Sequence, residues 1–236
     1  MLNRTMRAAV ATLAVLLVSS PTWAKDVYGD QISFRGDAGS TYEAWQFTTQ
    51  EQSGIVPESY MNPYGTPLAN ILGSGVEWRN DWPAPPGLDP GGDVPGWHMP
   101  LGGTVVHLLH NNPLPNAQKI IIAQVTSSKT PLSVTLELPE GFSYSMFDPG
   151  FPTVEWGTPA PFDGSWSTYV YGFQIVGNPE WESIWINYPP CTTLDQAVID
   201  SICVVPEPAS LALLALGLVL SLPKGGLALI RRRRGR

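Results

Sequence analysis

Residues 118–126, QKIIIAQVT, decide the fold of this chain. Three consecutive isoleucines with a following valine and threonine are β-branched residues, which fit a pleated sheet better than a helix. Residues 132–138 add strict alternation, because Val134, Leu136 and Leu138 are separated by polar side chains. Both segments are therefore predicted to be strands, the second with one face buried.

Similar short segments recur along the chain between turn-forming residues. Glycine and proline together make up 47 of the 236 residues, as expected of many turns. Further strands are predicted at residues 40–49, 103–110, 165–176, 182–188 and 194–204. No helical period of apolar residues is convincing between residues 25 and 204. The predicted fold class is all-β, an antiparallel β-sandwich that is jelly-roll-like or immunoglobulin-like.

The first 24 residues have the pattern of a secretory signal peptide. Arg4 and Arg7 form a positive segment, residues 8–18 are apolar, and Thr22 and Ala24 supply the small residues of a cleavage site. We expect cleavage after Ala24. Because no arginine pair is present, the general secretory route is favoured over the twin-arginine route.

The C-terminal segment, residues 205–236, combines three features. Pro206-Glu207-Pro208 comes first, and its prolines disfavour helix and leave Glu207 extended. Residues 209–230 follow, mostly apolar and close to the ~20 residues that span a bilayer as a transmembrane helix. Arg231-Arg232-Arg233-Arg234 closes the segment and should remain cytoplasmic. Lys224 interrupts the apolar run near its cytoplasmic end, where a lysine can reach the headgroups.

This order, VPEPASLALLALG followed by RRRR, resembles the PEP-CTERM sorting signal of bacterial surface proteins. The resemblance implies recognition and processing by a membrane protease of the exosortase type, with the membrane helix as a temporary anchor. It covers about one seventh of the chain. A weaker resemblance joins residues 182–204 to the closing hairpin of jelly-roll ectodomains that precede this signal.

The three expected parts are a signal peptide (1–24), a β-sandwich ectodomain (25–204) and a sorting signal (205–236). The ectodomain holds five Lys and Arg against nineteen Asp and Glu, a formal charge of −14. Nucleic acid is excluded as a partner, since phosphate binding requires a positive surface. Solubility, a polysaccharide matrix and calcium all suit an acidic surface.

No metal centre is predicted. His107 and His110 are three apart, which places them on opposite faces of a strand, and His98 adds no zinc spacing. Structural calcium remains open as a cofactor, because hard oxygen ligands are abundant. The carboxylates considered for it are Asp30, Asp37, Glu43, Asp195 and Asp200.

Two cysteines, Cys191 and Cys203, are the complete set. In an exported protein an even pair favours a disulfide, here predicted to clip two neighbouring strands with a stabilisation of ~2–3 kcal/mol.

Residues 73–103 are rich in glycine and proline and are predicted to be a long loop. Its tryptophans Trp78, Trp82 and Trp97 would either stack on sugar rings or pack beneath the loop as a small core. Trp181 and Trp185 lie on the strand face opposite Ile184 and would form a second aromatic platform or cover a sheet edge.

No arrangement of catalytic residues is recognisable. Glu155 and Asp148 are carboxylates of the kind that glycosidases use, but no motif supports a catalytic role for them. The predicted function is therefore that of an exported, non-catalytic structural or adhesive protein, membrane-anchored during sorting and then displayed at the cell surface or released. The alternatives are a carbohydrate-binding module that uses the Trp-rich loop to hold extracellular polysaccharide, and a glycan-active enzyme.

Overall fold

The computed structural model describes residues 26–83, 93–157 and 166–204. These residues form antiparallel strands and a single 3-10 turn at Gly29–Gln31. The strands are β1 (Ser40–Trp45), β2 (Ser59–Met61), β3 (Leu68–Leu72), β4 (Glu77–Pro83), β5 (Asp93–Met99), β6 (Gly103–His110), β7 (Leu114–Ser127), β8 (Ser133–Glu137), β9 (Ser143–Phe147), β10 (Val154–Gly157), β11 (Trp166–Asn178), β12 (Trp181–Tyr188) and β13 (Thr192–Val204).

Two sheets share one hydrophobic core, as in a β-sandwich. The larger sheet has nine strands, with β10-β11-β7-β13-β1-β2 as its main order, while β9 pairs with β11 and the β4–β5 hairpin joins β13. The smaller sheet has four strands in the order β3-β6-β12-β8. Buried side chains of both sheets, such as Ile121, Ile199 and Ile184, belong to the same cluster. The prediction of an all-β antiparallel fold is therefore confirmed.

The three longest strands, β7, β11 and β13, lie side by side and form the middle of the larger sheet. The isoleucine-rich segment lies within β7, where Ile121, Ala123 and Val125 point into the core. This position explains the β-branched residues of β7, because a strand with neighbours on both sides buries most of its length.

The predicted strands are all found. The strand predicted at 40–49 ends earlier, at Trp45, and the one predicted at 118–126 begins earlier, at Leu114. Residues 103–110 match β6, and the strands at 132–138, 165–176 and 182–188 match β8, β11 and β12 within two residues. The prediction of one long loop over residues 73–103 is wrong, because β4 and β5 form a hairpin in which Trp78 opposes Trp97. Strands β2, β3, β9 and β10 were not predicted either, and each is five residues or shorter.

A segment before β1 packs on the outward face of the larger sheet. The Arg35 guanidinium bonds both oxygens of Asp200 on β13 and also pairs with Asp26. Gln124 of β7 donates to the other oxygen of Asp26 at 2.9 Å and accepts from the Tyr28 backbone N–H. The start of the described domain is thus fixed to its two central strands.

Within the described ranges, no helix is long and apolar enough to cross a membrane. The signal peptide predicted at residues 1–24 and the transmembrane segment at 209–230 both lie outside those ranges.

Candidate functional site: the polar end of the sandwich interior

The interior of the sandwich changes character along its strands. On β1 the inward side chains change from polar, at Thr41 and Glu43, to apolar at Trp45. On β12 they change from Glu182 to the apolar Ile184. On β7 the change occurs between Lys119 and Ile121. These polar positions lie together at one end of the interior, which we call the polar end.

A buried ion pair joins the two sheets at the polar end. Lys119 of β7 and Glu182 of β12 are 2.6 Å apart from Nζ to Oε1, and their side chains are only 2% and 0% exposed. The amide of Asn111 completes the set, since it accepts from Lys119 and donates to the second oxygen of Glu182. Such a pair needs this full complement of bonds, because burying either charge alone costs several kcal/mol.

Glu43 lies beside this pair and has a different protonation state. Burial raises its pKa to about 8, although the positive charge of Lys119 and a 2.9 Å hydrogen bond from Asn62 act in the opposite direction. Glu43 is therefore largely protonated at neutral pH. Among the described residues its Oε2 has no hydrogen-bond partner, which fits a neutral carboxyl better than an anion.

A cavity of about 140 Å³ opens at the polar end. The residues that line it include Lys119, Asn178, Ser201, Cys203 and Thr41. The hydroxyl oxygens of Thr41 and Ser201 are 2.8 Å apart. Asn178 is buried, and its side-chain oxygen lacks a partner among the described residues. Several polar side chains line the cavity, which is large enough for several water molecules.

His107 is the next inward residue beyond this layer. Its ring is fully buried against Trp45, with centroids 4.5 Å apart in an edge-on arrangement. Burial lowers its pKa to about 3, so the imidazole is neutral at ordinary pH. Its strand neighbour His110 lies on the opposite, partly exposed face, as the spacing predicted. His98 is remote in the fold, on β5, with its Nδ1 3.3 Å from the Thr193 hydroxyl.

The carboxylates considered for calcium are not gathered at one place. Asp200 is held by Arg35 on the outward face, whereas Glu43 points into the interior. Asp195 is buried at a bulge of β13, and burial raises its pKa to about 7. Within residues 26–83, 93–157 and 166–204, no group of three or more His, Cys, Asp or Glu could hold a metal ion.

The predicted disulfide between Cys191 and Cys203 is wrong. Both thiols are free, and the two residues lie at opposite ends of β13 rather than on neighbouring strands. Twelve steps along an extended strand separate them by ~40 Å, whereas a disulfide needs Cα atoms within about 7 Å. Cys203 faces the cavity, and burial raises the pKa of its thiol.

The tryptophans of the predicted binding loop belong to the β4–β5 hairpin. Trp97 is 1% exposed and lies in the main core, so its ring is not available to a ligand. Trp78 packs against the same core and donates at 2.7 Å to the Phe47 carbonyl. Trp82 lies in β4 opposite Val94. The arrangement of Trp78 and Trp97 favours packing over sugar stacking.

The predicted sorting motif, Pro206 to Pro208 with Arg231 to Arg234, lies outside the described residues.

The polar end was not predicted from sequence. The sequence did contain a sign of it, because Lys119 and Glu182 are charged residues at inward positions of strands whose other inward residues are mostly apolar.

Comparisons of the chain with protein-family models, with curated proteins and with solved structures find no match.

Proposed function

We propose that this chain is an exported bacterial surface protein, sorted and processed at its C-terminal Pro-Glu-Pro by an exosortase-type membrane protease. The observation that carries the proposal is the order of residues 205–234, in which Pro-Glu-Pro, an apolar segment and four arginines follow one another. Its position gives support, because β13 ends at Val204, two residues before Pro206. The motif thus follows the folded domain directly.

The ectodomain is proposed to be jelly-roll-like. In that fold a long hairpin is rolled up, so that strands from the beginning of the chain pair with strands from its end in nested order. The pairs β1–β13, β6–β12 and β7–β11 are nested in this way. Strands β3, β9 and the β4–β5 hairpin are additions at the edges.

The role of the ectodomain is proposed to be structural or adhesive rather than catalytic. At the polar end, Lys119, Glu182 and Asn111 bond to one another, an arrangement that holds two sheets together. The carboxylates Asp148 and Glu155 are exposed on the edge region around β9 and β10, and Asp148 accepts from the Gly150 N–H in a local turn. The contacts at the polar end support a structural role for the domain.

The sorting proposal is tested by Glu207→Ala in a bacterium that carries an exosortase. We expect the variant to accumulate in the membrane as a precursor, because the residue between the two prolines would no longer be recognised. The measurement is the size and location of the protein by immunoblot of fractionated cells. Glu140→Ala, which alters an exposed carboxylate of the domain, is the matched control and should be processed normally. Identical processing of both variants would contradict the proposal.

A further inference from the structure

The outward face of the four-stranded sheet carries an aromatic and polar surface. Four side chains of its central strand β12 point away from the core: Trp181, Ser183, Trp185 and Asn187. The residues between them, including Ile184 and Ile186, are buried in the core. Trp181 and Trp185 are partly exposed and are separated by ~13 Å of strand. Ser183, which lies between the two tryptophans, is 7% exposed.

The strand register defines the neighbours of these tryptophans. Between them, Ser183 is flanked by Leu108 of β6 and Glu137 of β8. Trp185 lies between Val106 of β6 and Thr135 of β8. Trp181 lies beside His110 at the end of β6. The side chains at the β8 edge, Thr135 among them, are exposed. The residues directly opposite Trp185 are small, and its ring is partly exposed.

Hydrogen bonds hold the surface in one arrangement. The indole N–H of Trp185 donates to Glu137 at 3.0 Å. Asn187 accepts from the Thr104 hydroxyl at 2.6 Å and donates to the Ser133 hydroxyl at 2.8 Å, which links all three strands in a row. A surface fixed in this way loses little conformational entropy when a ligand binds.

The charge of this face differs from that of the whole domain. The ectodomain has nineteen acidic residues. In the described part of this face, Glu137 is the single one exposed, because Glu182 of β12 points inward. Aromatic rings with hydroxyl and amide groups, and almost no charge, suit a neutral ligand with apolar faces and many hydroxyls. The acidic remainder of the domain would repel polyanions.

We propose that Trp181 and Trp185 form a binding platform for a neutral polysaccharide. The two indole rings stack on the C–H faces of pyranose rings, as amphipathic aromatic side chains do at other interfaces. Glu137, Asn187 and Thr104 exchange hydrogen bonds with the sugar hydroxyls. This proposal deepens the surface role proposed above, and it rests on export for the encounter with such a polymer. The proposed sugar-binding surface therefore lies on the smaller sheet and not on the β4–β5 hairpin, where the Trp-rich segment of the sequence suggested it.

Affinity gel electrophoresis of the full-length chain in mild detergent tests the platform. The gels contain hydroxyethyl cellulose or xylan as neutral probes and alginate as the anionic one. We expect retardation by a neutral probe and none by alginate. Trp185→Ala and Trp181→Ala should each weaken binding about tenfold or more, as loss of a central aromatic contact does. Trp156→Ala is the matched control, because Trp156 is also partly buried and also donates its indole N–H, to Thr168 of the other sheet.

Three results would overturn the proposal: no retardation by either neutral probe, equal loss with the control variant, or tryptophan-dependent self-association in place of glycan binding. Thermal unfolding of each variant separates misfolding from lost contact, and Trp185→Phe, which keeps an aromatic ring, should retain part of the affinity. Because these measurements use purified protein, their failure leaves the sorting test with Glu207→Ala unaffected, and the reverse also holds.

Discussion

The two ends of the sandwich interior are built from the same strands and are stabilised in different ways. At the apolar end, residues such as Val125, Ile186 and Leu194 are buried among each other, and their contribution grows with the apolar area removed from water. At the polar end, Lys119 and Glu182 are equally buried but stabilise only as a pair. The apolar end depends on the area buried and on close packing, whereas the polar end depends on both charged partners being present.

The largest expected effect is at the polar end. Lys119→Met keeps much of the side-chain volume but leaves Glu182 as an uncompensated buried carboxylate. We expect a loss of about 3–5 kcal/mol in the free energy of unfolding, measured by urea denaturation. The double variant Lys119→Met/Glu182→Leu should recover most of that loss, because a well-packed apolar pair replaces the charges. A cost below about 1 kcal/mol for Lys119→Met would mean that the two ends do not differ in this way.

A matched change at the apolar end sharpens the contrast. Ile121 is the next inward residue after Lys119 on β7 and is fully buried. Ile121→Ala should cost about 2–5 kcal/mol through lost burial and the cavity left behind. In the same urea experiment, a second substitution at Glu182 should not restore the stability that Ile121→Ala loses. Recovery of this variant by Glu182→Leu would show that the two ends are not independent.

Between pH 7 and 8, a change of pH acts mainly through the buried carboxyl of Glu43 at the polar end. Burial raises the pKa of Glu43 to about 8, so the folded protein keeps a proton that the unfolded chain releases above about pH 4.3. Stability should therefore decrease as the pH rises from 7 to 8, by up to ~1.4 kcal/mol per pH unit from this group. Asp195, with a pKa raised to about 7, acts in the same direction mainly at lower pH.

His107 contributes with the opposite sign below this window. Its pKa, lowered to about 3 by burial, makes stability increase with pH until about 6.5, where the unfolded imidazole loses its proton. Between pH 7 and 8 the unfolded imidazole has mostly lost its proton. Unfolding free energies measured at pH 7.5 and 8 therefore report mainly the Glu43 carboxyl, with a smaller contribution from Asp195. Glu43→Gln, which keeps the shape and cannot ionise, should flatten the dependence, and an unchanged slope in this variant would contradict the assignment.

The smallest effect is expected for the cysteines. Since Cys191 and Cys203 lie at opposite ends of β13, the double change to serine should alter the free energy of unfolding by less than about 1 kcal/mol. Removal of a native disulfide costs ~2–5 kcal/mol. Thiol titration of the unfolded wild-type protein should find two free thiols, and finding none would restore the disulfide.

The sequence predicted the strands whose burial follows from their own pattern. The alternation around Val134 and Leu136 and the isoleucines of β7 required no knowledge of neighbours. Short edge strands such as β2, whose three residues are all exposed, carry no such pattern. The β4–β5 hairpin was taken for a loop because glycine and proline are frequent there, and its strand character depends on pairing with β13.

The polar end was hidden for a related reason. Lys119 and Glu182 are 63 residues apart in the chain, and each alone is an ordinary charged residue of a strand. Their pairing depends on the way in which β7 and β12 face each other across the sandwich. The cysteines were misjudged for the same reason. They are close in sequence, but the extended strand β13 between them keeps them too far apart for a disulfide.

The intact mass of the protein recovered from the outer surface of the cells tests the proposed export and processing most directly. The proposal predicts a chain that begins at Lys25 and ends within or just before the apolar segment 209–230, without Arg231 to Arg234. A full-length chain of 236 residues found inside the cell, with its first 24 residues and its arginines retained, would contradict it.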